Sequence, residues 1–424
     1  MKRYRVVLAR WLDAHSPTAL RCARKLKGHV AILIRKLWVR ARAAACGLCT
    51  DPHKTCWVSP QAIDLTIFGP DDERRPSQVR GRIKGGDWDL HTMPFEDMEV
   101  VRALKDHFIN GKPWEDTVFY RNTLTKLSQG EVLWGCLSKQ DLDGRCKHLE
   151  SLFEDIKNNG YKSQFEIRLA DGLPDGEDEI TVHVDRSGQF LLADGRHRLA
   201  MAKICGIDRI PVKVCIRHSK WHNLRLEIID YARRHYGGKV YQPLTHPDFQ
   251  DIPSSHDESR FEIITPHLPE TKGALLDIGA NWGYFCFRLE ELGFECYAVE
   301  SDPINVYFLR KLKEAQKRNF QIIAEPVFDY HQMPRFDVVL ALNIFHHFLK
   351  TRHLYNNMAT FLQNLDTNLM FFEPHLPSEP QMKGAYRNYE PQEFADFVLK
   401  HSKLSHCALI GKATDGRSIY KLWG

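Results

Sequence analysis

A chain of 424 residues is too long for one ordinary core, and 43% hydrophobic with 27% charged side chains excludes collagen-like, low-complexity and disordered chains. Two domains and a tail are expected. The net charge of +5 is unevenly held: residues 1–50 carry twelve Lys/Arg against one acid, Asp13, while the rest of the chain has forty-seven basic and fifty-three acidic residues. The eleven cysteines fit no secreted disulfide framework, so a reducing cytoplasm is expected. Near the start the longest apolar run, Val30 to Ile34, falls far short of the roughly 20 residues a membrane span needs, and interspersed Arg and Lys argue against a secretory signal.

In chain order, residues 1–45 read as a basic helical arm with a break at Pro17. Leu20, Leu26, Val30, Leu33 and Leu37 recur at helical spacing among Arg24, Lys27, Arg35 and Arg42, and Trp38 suits a membrane interface. This arm reads either as a partner for a polyanion or anionic membrane surface, or as a solvated helix docked on the acidic body. Cys46, Cys49, His53 and Cys56 follow, either a compressed zinc knuckle or thiols in a loop.

From Trp57 the chain reads as globular, with a turn at Gly85 to Asp89. Met98, Val101, Leu104 and Phe108 share one face of a helix predicted over Phe95 to Phe108. A second helix is predicted over Arg145 to Ile156, just after Gly144. Glu179 to Val184 and Gln189 to Ala193 read as strands around a turn at Arg186–Gly188. Asp194–Gly195–Arg196–His197–Arg198 then opens a helix over Leu199 to Cys205, and Ile210 to Ile216 is another strand. Residues 240–260, rich in Pro, His, Asp and Ser, read as a linker.

The Asp194–Arg198 segment is a candidate phosphate or nucleotide site: a glycine turn, backbone N–H groups at a helix start and several cations suit an anion. With Gly206–Ile207–Asp208–Arg209–Ile210–Pro211–Val212 it resembles the ParB/sulfiredoxin-like family. That resemblance implies an α+β domain, assigned to residues 57–239, whose segment at Asp194, Gly195, Arg196, His197 and Arg198 binds nucleotide phosphates.

The strongest motif is Leu275–Leu276–Asp277–Ile278–Gly279–Ala280–Asn281–Trp282–Gly283–Tyr284–Phe285: a buried strand, a glycine-containing turn and a helix start. Asp277 at the strand end suits a cationic cofactor and disfavours a pyrophosphate. A second strand, Glu295 to Glu300, ends in an acid placed to hold ribose hydroxyls, with Asp302 as the alternative. Gln321 to Pro326 is a third element, with Phe328 and Asp329 near its end. The fourth strand, Phe336 to Leu342, ends at Asn343 with His346 and His347 beyond it. The fifth, Leu369 to Phe372, ends at Glu373–Pro374–His375. Groups past the carboxyl ends of such strands form the site, which makes Asn343, His346, His347, Glu373 and His375 acceptor-side candidates.

This alternation resembles the class I S-adenosyl-L-methionine-dependent methyltransferases over residues 261–424, and its Asp–Ile–Gly–Ala–Asn–x–Gly turn resembles the FkbM-type and related small-molecule O-methyltransferases. The resemblance implies a Rossmann-like α/β domain with S-adenosyl-L-methionine as cofactor. Asp277, Gly279 and Gly283 would contact it, Asn281 and Trp282 would shape its pocket, and Glu300 would hold the ribose. Asp329 and Asn343 complete the candidate cofactor set, and His346 or His347 is the candidate base. No carboxylate–histidine metal cluster is evident, which disfavours a Mg-dependent mechanism, and no metal site is assigned. The expected reaction is O-methylation of a small molecule, glycan or glycolipid, at a cytoplasmic or peripheral membrane location. Two other readings stay open: a nucleic-acid methyltransferase, which the acidic body and the lack of an Asn/Asp–Pro–Pro–aromatic sequence disfavour, and a non-catalytic, nucleotide-responsive regulator that binds the cofactor.

Overall fold

The computed structural model describes residues 54–67, 81–164, 166–167, 179–330 and 334–424. The basic arm and three members of the Cys/His cluster, Cys46, Cys49 and His53, lie outside the described residues; Cys56, the fourth, is buried. The chain divides into two units at Leu224/Arg225.

The first unit is built on strands β1 (Thr55–Val58), β2 (Leu65–Ile67), β3 (Arg82–Lys84), β4 (Thr92–Pro94), β5 (Ile180–Val184), β6 (Phe190–Asp194) and β7 (Ile210–His218). They form one mixed sheet in the order β1-β7-β5-β6-β2-β4, with β3 also on β7. Every residue of β7 is buried, as in a central strand covered on both faces, and the strand has neighbours along both edges. One edge pairs with β5, and the other pairs first with β1 and then, at Ile216–His218, with β3. Helices α1 (Glu99–Phe108), α2 (Val118–Ser128), α3 (Lys139–Asn159) and α4 (Arg196–Ile204) accompany this sheet.

Three helix boundaries differ from the sequence expectation. Phe95–Asp97 forms a separate short turn, because Met98 is extended and caps α1. Helix α3 starts at Lys139 instead of Arg145: Ser138 caps it by accepting from the Asp141 amide, and Gly144 lies inside it. That glycine is exposed with open space around it, so it costs the helix only about 1 kcal/mol. Helix α4 starts at Arg196, directly after Gly195, not at Leu199.

Helix α5 (Ser219–Tyr236) runs through the division between the units. The second unit continues with α6 (Ser259–Ile264), β8 (Ala274–Ile278), α7 (Tyr284–Glu291), β9 (Glu295–Val299), α8 (Pro303–Ala315), β10 (Gln321–Ile323), β11 (Val338–Leu342), α9 (Arg352–Asn364), β12 (Leu369–Glu373), α10 (Pro391–His401), β13 (His406–Lys412) and β14 (Ser418–Trp423). Its sheet order is β10-β9-β8-β11-β12-β14-β13. The first five of these strands are parallel, and β14 enters antiparallel between β12 and β13. The order reverses between β8 and β11, which opens a crevice at their carboxyl ends. One face of the sheet is closed by Val339, Ala341, Met370 and Phe372 packed with Met358, Phe361 and Leu362 of α9 and Phe394 and Val398 of α10.

Residues 240–260 are folded, against the expectation of a linker. Val240, Leu244, Phe249 and Ile252 are buried. Val240 exchanges backbone hydrogen bonds with Pro253 and Ser255, and the His256 amide donates to Tyr241. The Pro, His and Asp residues here make turns that bring widely spaced apolar side chains inward; for example, the His246 ring accepts from the Asp248 amide. Among the described residues no helix is long and apolar enough to cross a membrane.

Candidate cofactor site

The site of the second unit begins where β8 ends. Gly279, Asn281 and Gly283 all adopt left-handed backbone, with φ of 75°, 52° and 87°. Glycine adopts this conformation freely, and asparagine is among the side chains that tolerate it. The amides of Gly279 and Ala280 both donate to the Val299 carbonyl, at 2.9 and 3.0 Å, tying the turn to the end of β9. The Asn281 amide donates to Glu300 Oε2 at 2.9 Å, and the Asp302 amide donates to Glu300 Oε1 at 2.8 Å. Burial pushes the Glu300 carboxyl above its usual range, against these backbone donors, which pull it down. Asp302 is occupied otherwise: its carboxylate caps α8 through the amides of Ile304 and Asn305.

A cavity of about 610 Å³ opens over these strand ends. Of the sequence candidates, Gly279, Asn281, Glu300, Asn343, His346 and His347 line it, and Asp277, Trp282, Gly283 and Asp329 do not. The reasons are local. Asp277 is buried behind the turn, where Cys286 Sγ approaches its Oδ2 at 3.8 Å. Trp282 turns away, packs on Phe308 with ring centres 4.4 Å apart and donates from Nε1 to Asn305 Oδ1 at 3.0 Å, so it steadies a residue of the wall without being part of it. A Cβ on Gly283 would stand 2.5 Å from Leu309 Cδ1, so this glycine serves helix packing; a Cβ on Gly279 would meet Ile344 Cδ1 at 2.7 Å. Asp329 closes the short turn Val327–Asp329, whose Val327 and Phe328 face the cavity instead.

The strand ends on the far side are also partly diverted. Glu373 is held by Arg260 in a buried bidentate pair, with Nε at 2.8 Å and Nη2 at 2.7 Å. The same guanidinium reaches Asp415 at 2.6 Å. His375 is fully buried and faces Asn388 Oδ1 at 2.8 Å. Asn343, left-handed at φ 51°, donates from Nδ2 to the Tyr241 hydroxyl at 2.9 Å, while its Oδ1 is buried without a partner. Burial holds the Tyr241 phenol above its usual range, so it stays protonated.

The two histidine rings lie 4.0 Å apart, tilted by 37°, but differ in setting. His346 is buried, and burial, with the neighbouring His347 and His375, pushes its pKa down to about 3. His347 is exposed at the residue level; desolvation first and then the Lys350 ammonium hold its pKa low, with Lys350 Nζ 3.5 Å from its Nδ1. Both imidazoles are therefore neutral at pH 7. Among the described residues no group of three or more His, Cys, Asp or Glu side chains is placed to hold a metal ion.

Sequence reasoning missed Tyr241, Gln242, Asn305, Glu325, Gln381 and Arg417 in this wall. Glu325 carried a usable signal, since it closes the element after β10. Tyr241, Gln242, Gln381 and Arg417 come from turns and Asn305 from the first turn of α8, and none of these stretches has a ligand-binding sequence pattern.

In the first unit, the Asp194–Arg198 segment lines a cavity of about 370 Å³ together with Arg145, His148 and Gln164. Gly195 is left-handed and caps α4. Burial, followed by the charges of Arg196, Arg145 and Arg198, pushes His197 down to about 4, so the arginines carry the positive charge of this cavity.

A family model described as a methyltransferase domain matches residues 276–367. The second unit thus contains a methyltransferase domain on a Rossmann-like sheet, and its cofactor is S-adenosyl-L-methionine. No curated protein matches the chain. Among solved structures it is similar to monomeric WbdD, at 18% identity and a TM-score of 0.36 over 44% of this chain and 46% of that one. The chain therefore spans about half the length of WbdD, described elsewhere as a bifunctional kinase-methyltransferase. It is also similar to the PH0226 protein of Pyrococcus horikoshii OT3, at 16% identity and a TM-score of 0.33 over 46% of this chain and 98% of that one. A methyltransferase from Listeria monocytogenes, dependent on S-adenosylmethionine by its description, aligns at 12% identity and a TM-score of 0.30, over 39% and 98%.

Proposed function

We propose that the chain transfers the methyl group of S-adenosyl-L-methionine to an oxygen of a small molecule or glycan, using the cavity over β8, β9 and β11. The observation that carries this reading is Glu300. Each of its carboxylate oxygens takes one backbone amide, and each keeps capacity for a second donor, which matches the two neighbouring hydroxyls of a ribose. The buried, unpartnered Oδ1 of Asn343 and Oε1 of Gln242 add two acceptors in the same wall, suited to the cofactor's amino groups. Gly279 and Asn281 bring the turn backbone against the ligand, and Val327 and Phe328 supply an apolar wall for a planar base. Asp277, behind the turn, ionises more readily once a sulfonium cation stands nearby, and its charge then attracts that cation.

When bound, the cofactor supplies an electrophilic methyl group, already activated by its sulfonium. The protein's task is to exclude water, align the acceptor oxygen and take its proton. With its low basicity, His346 does not remove that proton in advance. It needs only to receive it as the oxygen becomes cationic, a demand a weak base meets. In the first unit the cavity at Arg145, Arg196 and Arg198 takes a phosphate-bearing group of a nucleotide or of the substrate's carrier. The excess of basic residues over residues 1–50 supports attachment to an anionic membrane surface.

Titration calorimetry of the full chain with S-adenosyl-L-methionine and S-adenosylhomocysteine tests the cofactor assignment. Glu300→Ala should lose about ten- to a hundredfold in affinity, the effect of removing charge-assisted hydrogen bonds. Wild-type protein that binds neither compound, or a variant that binds as well as wild type, would falsify it.

A further inference from the structure

A chain of hydrogen bonds inside the second unit ends on His346. Arg417, at the end of the turn that leads into β14, grips Glu379 Oε1 with Nε at 3.0 Å and Nη2 at 2.9 Å. The other oxygen of Glu379 accepts from Gln381 Nε2 at 2.5 Å, and Gln381 Oε1 lies 3.2 Å from His346 Nε2. Burial pushes the Glu379 carboxyl up, but the Leu376 amide, Gln381 and Arg417 together hold it below its usual range, so it is ionised and only accepts. A group that only accepts settles which end of the Gln381 amide faces it: the NH₂ points to Glu379 and the oxygen to His346. That oxygen needs a donor, and the facing ring nitrogen must then carry the hydrogen. In a neutral imidazole the other nitrogen is left with a lone pair, and Nδ1 of His346 is in fact buried without a partner. His346, Gln381 and Arg417 all line the 610 Å³ cavity.

We propose that Glu379 and Gln381 are positioning residues that lock His346 in its Nε2–H tautomer, so that Nδ1 offers its lone pair to the hydroxyl or amine proton of the methyl acceptor. This rests on the cavity being the methyl-transfer site. As a lone pair of the acceptor atom forms the new bond to carbon, the methyl carbon–sulfur bond would break with its electron pair going to sulfur, leaving S-adenosylhomocysteine; the O–H or N–H bond of the acceptor breaks, its electron pair stays on the acceptor atom, and the proton moves to Nδ1. The imidazolium that results keeps its Nε2–H bond to Gln381 and releases the Nδ1 proton to solvent after product leaves. An acceptor that brings no proton, such as a carboxylate, would place its lone pairs against Nδ1, an acceptor atom that repels it. The site is thus built for a neutral hydroxyl or amine.

The test is a spectroscopic reading of the ring, independent of turnover. Full-length protein labelled with ¹⁵N in histidine gives two-bond proton–nitrogen correlations that report which ring nitrogen carries hydrogen, with His346 identified by its loss in His346→Gln. From about pH 6 to 8, wild type should show protonated Nε2 and bare Nδ1 at His346. Gln381→Met, equal in length but unable to accept, should lose this pattern to the other tautomer or to an average. Gln381→Glu, which keeps an oxygen facing the ring, should preserve it. A wild-type Nδ1–H tautomer, or a Gln381→Met protein with the wild-type pattern, overturns the proposal. Calorimetry with S-adenosylhomocysteine on the same samples separates the two claims: absence of binding in wild type counts against the cofactor assignment, while the tautomer pattern alone decides the role of Gln381.

Discussion

Asp277 shows how a residue legible in sequence takes a role that only the fold defines. The acid at the end of β8 was expected to face the cofactor. It is enclosed instead, and burial chiefly, with the Glu300 charge adding to it, pushes its carboxyl up to about 7. The folded chain thus holds a proton that the unfolded chain releases near an ordinary pKa of about 4, and the cofactor-free protein loses stability as pH rises from about 4 to about 7. Asp277→Asn removes the titration. Thermal melts at about pH 5 and about pH 8 should differ less for this variant than for wild type, and an equal difference would mean that Asp277 is ionised throughout. Gly279, Asn281 and Glu300 could be read in advance because they sit at fixed offsets along one strand–turn–helix unit and the strand that follows. Tyr241, Gln381 and Arg417 could not, because each meets the cavity from a distant, irregular stretch. Their value lies in partners that sequence order does not reveal.

At the scale of elements, the strands were the most legible part. β5, β7, β8, β9, β11 and β12 are runs of β-branched, aromatic and aliphatic residues, and such runs are strands wherever both faces are covered. Helix starts were less legible, because Gly144 reads as a breaker but is harmless on an exposed helix face, and because α4 takes up Arg196 and His197 in its first turn. That second difference bears on function. With α4 starting at Arg196, the arginine stands in the first turn, where free backbone N–H groups and its own charge act on the same small volume with Arg145. Arg196→Ala should therefore weaken binding of ATP, used as a polyphosphate probe, by about tenfold and flatten its salt dependence. Equal affinity in a filter-binding titration would leave the cavity without an anion role.

For the whole molecule, the division at Leu224/Arg225 has a thermodynamic consequence. Scanning calorimetry of the intact chain should resolve two transitions, and S-adenosylhomocysteine should raise only one of them, by mass action on the unit that binds it. A single transition that moves as a whole with ligand would mean that the two units melt as one. The sequence placed this division later, after a linker, because composition alone does not distinguish a mobile segment from one whose few apolar residues, Val240, Leu244, Phe249 and Ile252, are all buried.

The arrangement around β7 bears on how the chain is made. Val58 pairs with Ile210, so β1 emerges from the ribosome long before β7, its only neighbour in the sheet among the described residues, exists. At roughly 5–20 residues per second that interval is on the order of ten seconds. Throughout it Cys56 and Val58, buried in the finished protein, stand open to water on an unpaired strand. The first unit therefore closes only when one of its last-made strands arrives, and until then the nascent chain has an edge that another copy of the same sequence fits.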